Sequence, residues 1–489
     1  MRRWLLVLCL VAALAPLMTS ASGTAPTSTS RAPAPAQLDV AYRDAAARLI
    51  GAALASDHAY LRLSQLCDGI GNRLSGSSSL TRAVAWAAQS MREDGLQNVR
   101  LQPVMVPRWV RGEEHAEIVS PTLQKLSILG LGRSPGTGPG GITAEVVVVG
   151  SFAALDSLPD DAVRGKIVLY DVPFTNYGVT GRYRTRGPRR AALRGAAAAL
   201  VRSVTPTSLR TPHTGATSDS LPLVPAAAVT LEDAAMIHRL VARGEHVRVH
   251  LEMGAHTLPD TLSHNVLGEI RGRDRPDEIV VLGGHLDSWD VGQGAQDDGG
   301  GVVISLEAMR LIRQLGLRPR RTLRCVAWVN EENGGRGGDA YADSLRAAVA
   351  GHVAALESDG GVERPLGFEV AVRQVGTDSL DKAASAVALA RIQQVGALLA
   401  GLGAGQITAG GGEADVSRLM RCGVPGISHR TTMEHYFDWH HTQADMLDKV
   451  DPVELRKNVA VMAVMAYVLA DMPETLAPPA RFVPGATRR

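Results

Sequence analysis

The chain has few cysteines, few aromatic residues and no excess of either charge. Its 489 residues include four cysteines, and aromatic residues make up 4%. Lysine plus arginine number 51 and aspartate plus glutamate number 49, so the formal net charge is +2. This balance gives no reason to expect a nucleic acid or an acidic membrane surface as a partner. The length is sufficient for two or three domains with a large core.

The cysteines do not form a recognisable metal or disulfide pattern. Cys9 lies in an apolar N-terminal segment, which leaves Cys67, Cys325 and Cys422 as an odd and sparse set without a CxxC motif. Neither a thiolate zinc site nor a disulfide framework is therefore indicated. Cys325 falls within a predicted strand and is expected in the core. Pairing of Cys67 with Cys422 in an oxidising compartment stays open at this level.

The N-terminus has the features of a secretory signal peptide. Two arginines precede the apolar run Trp4–Leu17, and small residues follow it. The run is too short to span a bilayer, which favours a cleaved signal peptide over a retained anchor. We therefore expect a signal peptide at 1–22, a flexible leader at 23–37, and a secreted or periplasmic protein. After cleavage, no membrane association is expected, because no other apolar run of spanning length was identified.

The remaining chain divides into segments of different texture. Residues 38–103 have helical apolar spacing, and residues 104–262 contain short Val-rich runs that alternate with turns. Strand–helix alternation then occupies 263–474, before a Pro- and Arg-rich tail at 475–489 that we expect to be loose. Residues 104–262 are predicted to form a β-rich module inserted into the first domain.

The predicted insert carries a basic string. It consists of Arg182, Arg184, Arg186, Arg189, Arg190 and Arg194. A solvated face or loop is the ordinary interpretation of such a string. Binding of substrate carboxylates is the alternative.

The segment 277–301 is the centre of the sequence. The apolar run Ile279–Leu282 predicts a buried strand, and His285, Asp287 and Asp297 follow it in a glycine-rich loop. A helix is predicted after that loop, over 302–313. Open α/β sheets place their sites at the carboxyl ends of such strands.

Two later predicted strands and one C-terminal loop also end in histidine or carboxylate. These residues are Glu331 and Glu332 after the strand 322–329, Asp359 after the strand 352–356, and His440, His441 and Asp445 near the C-terminus. His, Asp and Glu together are ligands for divalent metals, and the set contains one carboxylate more than a single zinc needs. No GxSxG motif is present, and the loop lacks the third glycine of a nucleotide-binding fingerprint.

Two adjacent metals need a shared carboxylate, and Asp297 in its glycine-rich loop suits that role. Asp287 is near enough in sequence to accept the other ring N–H of His285. Glu331 and Glu332 are adjacent, so one can bind metal while the other holds a water.

The combination of motifs resembles the M28 family of co-catalytic zinc exopeptidases. The matching segments are HxD at 285–287, DDGGG at 297–301, NEENGG at 330–335, ESDGG at 357–361, HHT at 440–442, and parts of the insert at 176–179 and 183–184. The resemblance covers most of the mature chain. It implies an α/β fold, namely a three-layer zinc-exopeptidase core of the phosphorylase/hydrolase-like type, with an inserted β-rich protease-associated domain.

The resemblance also implies residue roles and two Zn²⁺ ions per chain. By position, His285, Asp297, Glu332, Asp359 and His441 resemble the metal ligands, with Asp297 as the bridge. Glu331 matches the general base and Asp287 the orienting aspartate. His441, rather than His440, precedes a threonine and an acid four residues further on, as the family pattern requires.

The function implied by the resemblance is hydrolysis of dipeptides or short unblocked peptides, and relatives of this kind are often homodimers. A broader aminopeptidase acting on longer peptides is an alternative. A non-catalytic binding ectodomain of the same fold is a second alternative, from a different class. A glutaminyl cyclase-like ring closure is a third.

Overall fold

The computed structural model describes residues 37–484, except Asp219 and Glu413. The predicted signal peptide and the predicted leader up to residue 36 lie outside the described residues. In chain order, the strands are β1 (Gln97–Val110), β2 (Glu114–Ser120), β3 (Gln124–Leu126), β4 (Ile128–Gly130), β5 (Ile142–Val149), β6 (Ile167–Tyr170), β7 (Ala198–Arg202), β8 (Ala226–Val229), β9 (Arg248–Met253), β10 (His256–Ile270), β11 (Arg275–His285), β12 (Arg321–Trp328), β13 (His352–Glu357), β14 (Pro365–Ala371), β15 (Gln406–Ala409) and β16 (Gly426–Thr431).

The α-helices carry the apolar spacing that the sequence indicates. They are α1 (Leu38–Ala41), α2 (Arg43–Leu54), α3 (His58–Cys67), α4 (Ser78–Glu93), α5 (Phe152–Ser157), α6 (Tyr177–Leu193), α7 (Leu231–Ala242), α8 (Gly300–Gln314), α9 (Arg336–Leu345), α10 (Lys382–Leu399), α11 (Ser417–Arg421), α12 (Tyr436–Trp439) and α13 (Pro452–Asp471). Side chains cap several of them. The Ser77 hydroxyl accepts the main-chain N–H of Leu80 at the start of α4, as its position before the helix predicts.

The first sheet has eight strands in the order β1-β10-β12-β11-β13-β16-β14-β15. Its four central strands, β12, β11, β13 and β16, run parallel to one another. Leu282 of β11 is in register with Cys325 on one side and Leu356 on the other. All three residues are buried, as expected for parallel strands that helices cover on both faces.

Helices cover both faces of this sheet and form a three-layer core. Helices α2, α3, α8 and α13 pack on one face, in a cluster that includes most of the buried residues of α8 and α13. Helices α9 and α11 pack on the other face, together with Trp328 and Tyr341. The α/β architecture predicted from strand–helix alternation is therefore confirmed.

A second eight-stranded sheet lies between β1 and β10 in the chain. Its strand order is β3-β2-β9-β5-β6-β7-β8-β4, and it spans residues 114–253. The sequence-based boundaries at 104 and 262 fall inside β1 and β10, which both belong to the first sheet. Pro103 and Pro107 make β1 look broken in the sequence, but proline is tolerated here because β1 is an edge strand.

Three further features differ from the expectations or complete them. The three cysteines in the described part of the chain are free and buried. Cys67 does not pair with Cys422, and the two belong to different core clusters. The expected loose tail is instead packed as far as Val483, because Phe482 and Val483 lie against the core. Among the described helices, the stretch Lys382–Leu402 has the length and hydropathy of a membrane span, although one side of α10 packs into the core.

Candidate metal centre

The polar residues predicted from the strand ends meet at one edge of the first sheet. Strands β11, β12, β13 and β16 are parallel, so the loops that follow them open on the same side. The loop after β11 carries Asp297, the loop after β12 carries Glu332, and the loop after β13 carries Asp359. His441 comes from the segment after α12.

The first half of the site groups three residues. Nε2 of His285 lies 3.3 Å from Oδ1 of Asp297 and 3.3 Å from Oδ1 of Asp359. The three ligand atoms lie within 4.8 Å of one another. His285 and Asp297 are buried, whereas the side chain of Asp359 is 28% exposed and therefore faces the cavity.

The second half of the site uses the other oxygen of Asp297. Nε2 of His441 lies 3.2 Å from Oδ2 of Asp297 and 3.0 Å from Oε2 of Glu332. His440 lies against His441 with ring centroids 3.6 Å apart, and its Nε2 is 3.5 Å from the same Asp297 oxygen. His441 thus contacts two candidate ligands, whereas His440 approaches Asp297 alone. Asp297 lies between both groups, as a bridging carboxylate would.

The spacing of these atoms fits zinc. A tetrahedral zinc with bonds of about 2.0–2.1 Å holds its ligand atoms about 3.3 Å apart. The four distances from His285 and His441 to their carboxylates are 3.0–3.3 Å. Oε1 of Glu332 is buried and forms no hydrogen bond with any described residue. Buried carboxylate oxygens without hydrogen bonds are costly unless a cation compensates them.

The pKa values show that several buried carboxylates lie close together in the cluster. Burial raises the pKa of Glu332 to about 8, and the nearby charge of Asp297 adds to the shift. Burial likewise raises the pKa of Asp359 to about 6. Burial opposes ionisation of Asp297 too, but His285 and His441 hold its pKa well below the ordinary range. The two imidazoles therefore do not neutralise the whole cluster, and a bound cation would.

The contact between Asp287 and His285 differs from the predicted one. Nδ1 of His285 is 2.9 Å from the main-chain carbonyl of Asp287, whereas the carboxylate is 4.0 Å away. That carboxylate instead accepts the main-chain N–H of Glu331 at 3.1 Å and the hydroxyl of Ser75 at 3.3 Å. The prediction that the carboxylate of Asp287 accepts the ring N–H of His285 is therefore wrong. The main-chain carbonyl of the same residue lies closer to Nδ1. The side chain positions the segment that carries Glu331.

The loop that carries Asp297 is fixed by a second aspartate and by glycines. Asp298 accepts the main-chain N–H groups of His285 and Gly301, both at 3.0 Å. A Cβ on Gly284 would lie 2.2 Å from one oxygen of Asp298, and a Cβ on Gly301 would lie 2.2 Å from the other. These glycines let the loop approach the strand closely, which positions Asp297 at the sheet edge.

A fully buried arginine, which the sequence analysis did not select, holds the same loop from the other side. Arg73 donates to the carbonyls of Gly71, Leu286, Gln293 and Gly294, at 2.5–3.0 Å. Its place in a turn-rich segment before α4 gave no signal of this role, because the contact with Gln293 joins residues more than two hundred positions apart.

A cavity of about 1060 Å³ opens over the cluster and contains Glu331, Asp359 and His441 in its wall. Helix α6, which packs on the second sheet, contributes Tyr177 and Arg184 to the wall of the same cavity. Arg184 is 6% exposed, which differs from the ordinary interpretation of the basic string as a solvated face. Among the described residues, no carboxylate forms an ion pair with it. Its guanidinium contacts the hydroxyl of Tyr177, the carbonyl of Thr214 and Nδ1 of His441.

The comparison with known families identifies the class of protein. Residues 265–466 match the model of Peptidase family M28. The chain is 44% identical over 440 residues to Carboxypeptidase Q of Mus musculus, and the alignment covers 89% of this chain and 91% of the relative. The chain therefore belongs to peptidase family M28, and it is a metallopeptidase.

The particular relatives agree with this assignment. The solved structure of a Peptidase M28 precursor from Shewanella amazonensis is 35% identical, with a TM-score of 0.84, and the match covers 90% of this chain and 99% of that one. BSAP, a zinc aminopeptidase from Bacillus subtilis, shares the fold at 20% identity and a TM-score of 0.63, over 86% of this chain and 97% of its own. The chain is thus an M28 peptidase related to carboxypeptidase Q.

Proposed function

We propose that the chain is a secreted or periplasmic exopeptidase that uses two zinc ions to hydrolyse dipeptides or other short peptides with free termini. The observation that supports it most strongly is the position of Asp297. One of its oxygens faces His285 and the other faces His441, with Asp359 and Glu332 completing the two groups. A shared carboxylate of this kind is what a two-metal site requires.

His285, Asp297 and Asp359 would hold one ion, and Asp297, Glu332 and His441 the other. Zinc bound there would acidify a water and polarise the scissile carbonyl. Glu331 lies in the cavity wall beside these ligands, with its main chain held by Asp287. We assign it the general-base role, in which it accepts a proton from the attacking water and delivers it to the departing amino group.

Arg184 supports a preference for substrates that carry a carboxylate. Its buried guanidinium has no carboxylate partner within the described part of the chain, and an anion in the cavity would compensate the cost of burying that charge. Arg184 lies in the same cavity as the ligand cluster, so the free C-terminus of a short peptide can reach it while the preceding carbonyl lies over the cluster. In this proposal, the second sheet is a protease-associated domain that contributes to substrate selection.

A panel of short peptides tests the proposal. The zinc content of the purified protein is measured first, and turnover is then measured for dipeptides, N-blocked dipeptides, dipeptide amides and tripeptides. We expect two zinc ions per chain and hydrolysis that requires both free termini. Release of residues from long or amidated peptides with equal efficiency would instead favour the broader aminopeptidase.

The Arg184→Met variant provides a second arm. Assayed at saturating zinc, it should raise KM for free dipeptides by about tenfold or more, which is the loss expected for one charge-assisted contact. Its KM for dipeptide amides should change much less. Equal effects on acids and amides would contradict the assignment of Arg184 to the substrate carboxylate.

A further inference from the structure

A loop of the second sheet reaches into the metal centre. The connection between β7 and β8 is long, and its described residues form no helix or strand; such loops in compact domains are usually functional. Within it, the hydroxyl of Thr205 donates to the carbonyl of Phe437 at 2.7 Å. The main-chain N–H of Thr214 donates to the carbonyl of His441 at 3.0 Å. The loop is therefore bonded to the segment that carries the candidate ligand.

The backbone of His441 needs such support. Its φ is +62°, in the left-handed region that residues other than glycine rarely adopt. A conformation of this kind persists only where the surroundings hold it. The hydrogen bond from Thr214 to the carbonyl of His441 is one contact that does so.

The imidazole of His441 meets the same residue. Its Nδ1 lies 3.3 Å from the main-chain carbonyl of Thr214, while its Nε2 faces Asp297 and Glu332. A histidine that binds metal through Nε2 must carry its proton on Nδ1, and a carbonyl acceptor there fixes that tautomer and the ring orientation. Thr214 thus contacts His441 through both of its main-chain groups.

The position of the Thr214 carbonyl is itself fixed by Arg184. Nη1 of Arg184 donates to this carbonyl at 3.2 Å, so the oxygen accepts one hydrogen bond from the guanidinium and one from the imidazole. Nη1 also lies 3.4 Å from Nδ1 of His441. Two donors that share one carbonyl are expected to lie this close, and the shared carbonyl keeps the proton on Nδ1.

We propose that Thr214 is a positioning residue for the metal centre, through which the second sheet sets the affinity of the site for the zinc held by His441. The proposal depends on the assignment of His441 as a ligand under the proposed function. It adds that the inserted sheet contributes to metal retention and does not act on the substrate alone.

Gly215→Ala tests the proposal, because Gly215 follows the carbonyl in question. Gly215 has φ +137°, and a Cβ there would lie 2.3 Å from Cζ of Arg184. The substitution must displace the Thr214–Gly215 peptide or the guanidinium. Gly165→Ala is the matched control, since Gly165 also has positive φ (+72°) and belongs to the same sheet region, but no atom lies within 4 Å of its added Cβ.

The measurement is zinc affinity by chelator competition on the full-length protein, with circular dichroism to verify folding. We expect Gly215→Ala to weaken one bound zinc by about 10–100-fold, the usual cost of losing a contact to a ligating histidine. The other zinc and the Gly165→Ala variant should stay within about threefold of the wild type. Equal affinities in the two variants would overturn the proposal.

If Gly215→Ala does not fold, Arg184→Met replaces it, with the exposed Arg186→Met on the same helix as its control. The expected result is again a loss of about tenfold in the affinity for one zinc, and no difference from the control would overturn the proposal. If the wild type does not bind zinc, the proposed function is contradicted, and the proposed role of Thr214 is contradicted with it. The two failures are therefore distinguishable.

Discussion

The carboxylate of Asp445 accepts the main-chain N–H of Asp297 at 3.1 Å, across 148 positions of sequence. Its other oxygen accepts the N–H groups of Ala295 and Gln296, at 3.1 and 2.8 Å. Burial raises the pKa of Asp445 to about 7, and these hydrogen bonds oppose the shift. Asp445 and His441 belong to the same segment, so the placement of one candidate ligand is linked to the placement of another.

Removal of the shared carboxylate should affect both ions, whereas removal of a terminal ligand should affect one. We expect Asp297→Asn to reduce the zinc content from two ions to less than one per chain. Asp359→Asn should retain about one ion, because His441, Glu332 and Asp297 remain. Metal analysis after dialysis against a weak chelator gives both values. An Asp297→Asn variant that keeps two ions would show that Asp297 does not bridge.

Replacement of the assigned base should separate metal binding from turnover. Glu331→Gln keeps the size of the side chain but cannot accept a proton, so we expect kcat to fall by about 10²–10⁴-fold with the zinc content unchanged. Glu434→Gln, on an exposed residue, is the control. Steady-state kinetics and metal analysis test the pair, and a Glu331→Gln variant within tenfold of wild-type kcat would refute the assignment.

Arg73 should matter for stability. Arg73→Met leaves several buried carbonyls without a donor, and we expect a loss of about 3 kcal/mol or more in the free energy of unfolding. Arg82→Met, at an exposed position of α4, should cost much less. Chemical denaturation of both variants measures the difference. Similar values for the two would show that other donors replace the Arg73 guanidinium.

His352 should make stability depend on pH. Burial lowers its pKa in the folded protein to about 3, whereas an unfolded chain binds a proton near the ordinary value of 6.5. Between these values only the unfolded chain takes up the proton, so stability falls as the pH drops from 6.5 towards 3. Its ring contacts the hydroxyl of Tyr341 at 2.9 Å, away from the metal ligands.

The His352→Gln variant removes that titration. Between pH 6.5 and pH 5, we expect its free energy of unfolding to fall by about 1.6 kcal/mol less than that of the wild type. Denaturation curves at the two pH values measure this difference, with the exposed His246→Gln as control. An identical pH dependence in wild type and His352→Gln would contradict the prediction.

The sequence predicts the ligand cluster because most of the candidate ligands come directly after predicted strands. Buried apolar runs such as Ile279–Leu282 mark central strands, and their carboxyl ends must share one edge of a parallel sheet. The sequence therefore predicts that His285, Asp297, Glu332 and Asp359 lie close together. Their roles as ligands stay predictions until a metal is measured.

Other features could not be read from local pattern. The sequence does not distinguish the carbonyl of Asp287 from its carboxylate as the partner of His285, because both lie within reach of the ring. Arg184 looks like its exposed neighbours in the basic string, since its burial depends on a wall formed by distant residues. Thr214 and His441 are in contact although they are 227 positions apart in the sequence. Hydrophobic periodicity does not predict contacts between residues so far apart.

The second sheet leaves and rejoins the first through strands that are already paired. Val110 at the end of β1 is in register with His256 at the start of β10. A short hairpin turn could therefore replace residues 111–255 while the ladder between these two strands remains. Such a shortened chain would retain the loops after β11, β12 and β13 and would lose Arg184 and Thr214. Because the same insertion carries both Arg184 and Thr214, its excision should weaken zinc retention at His441 together with substrate selection.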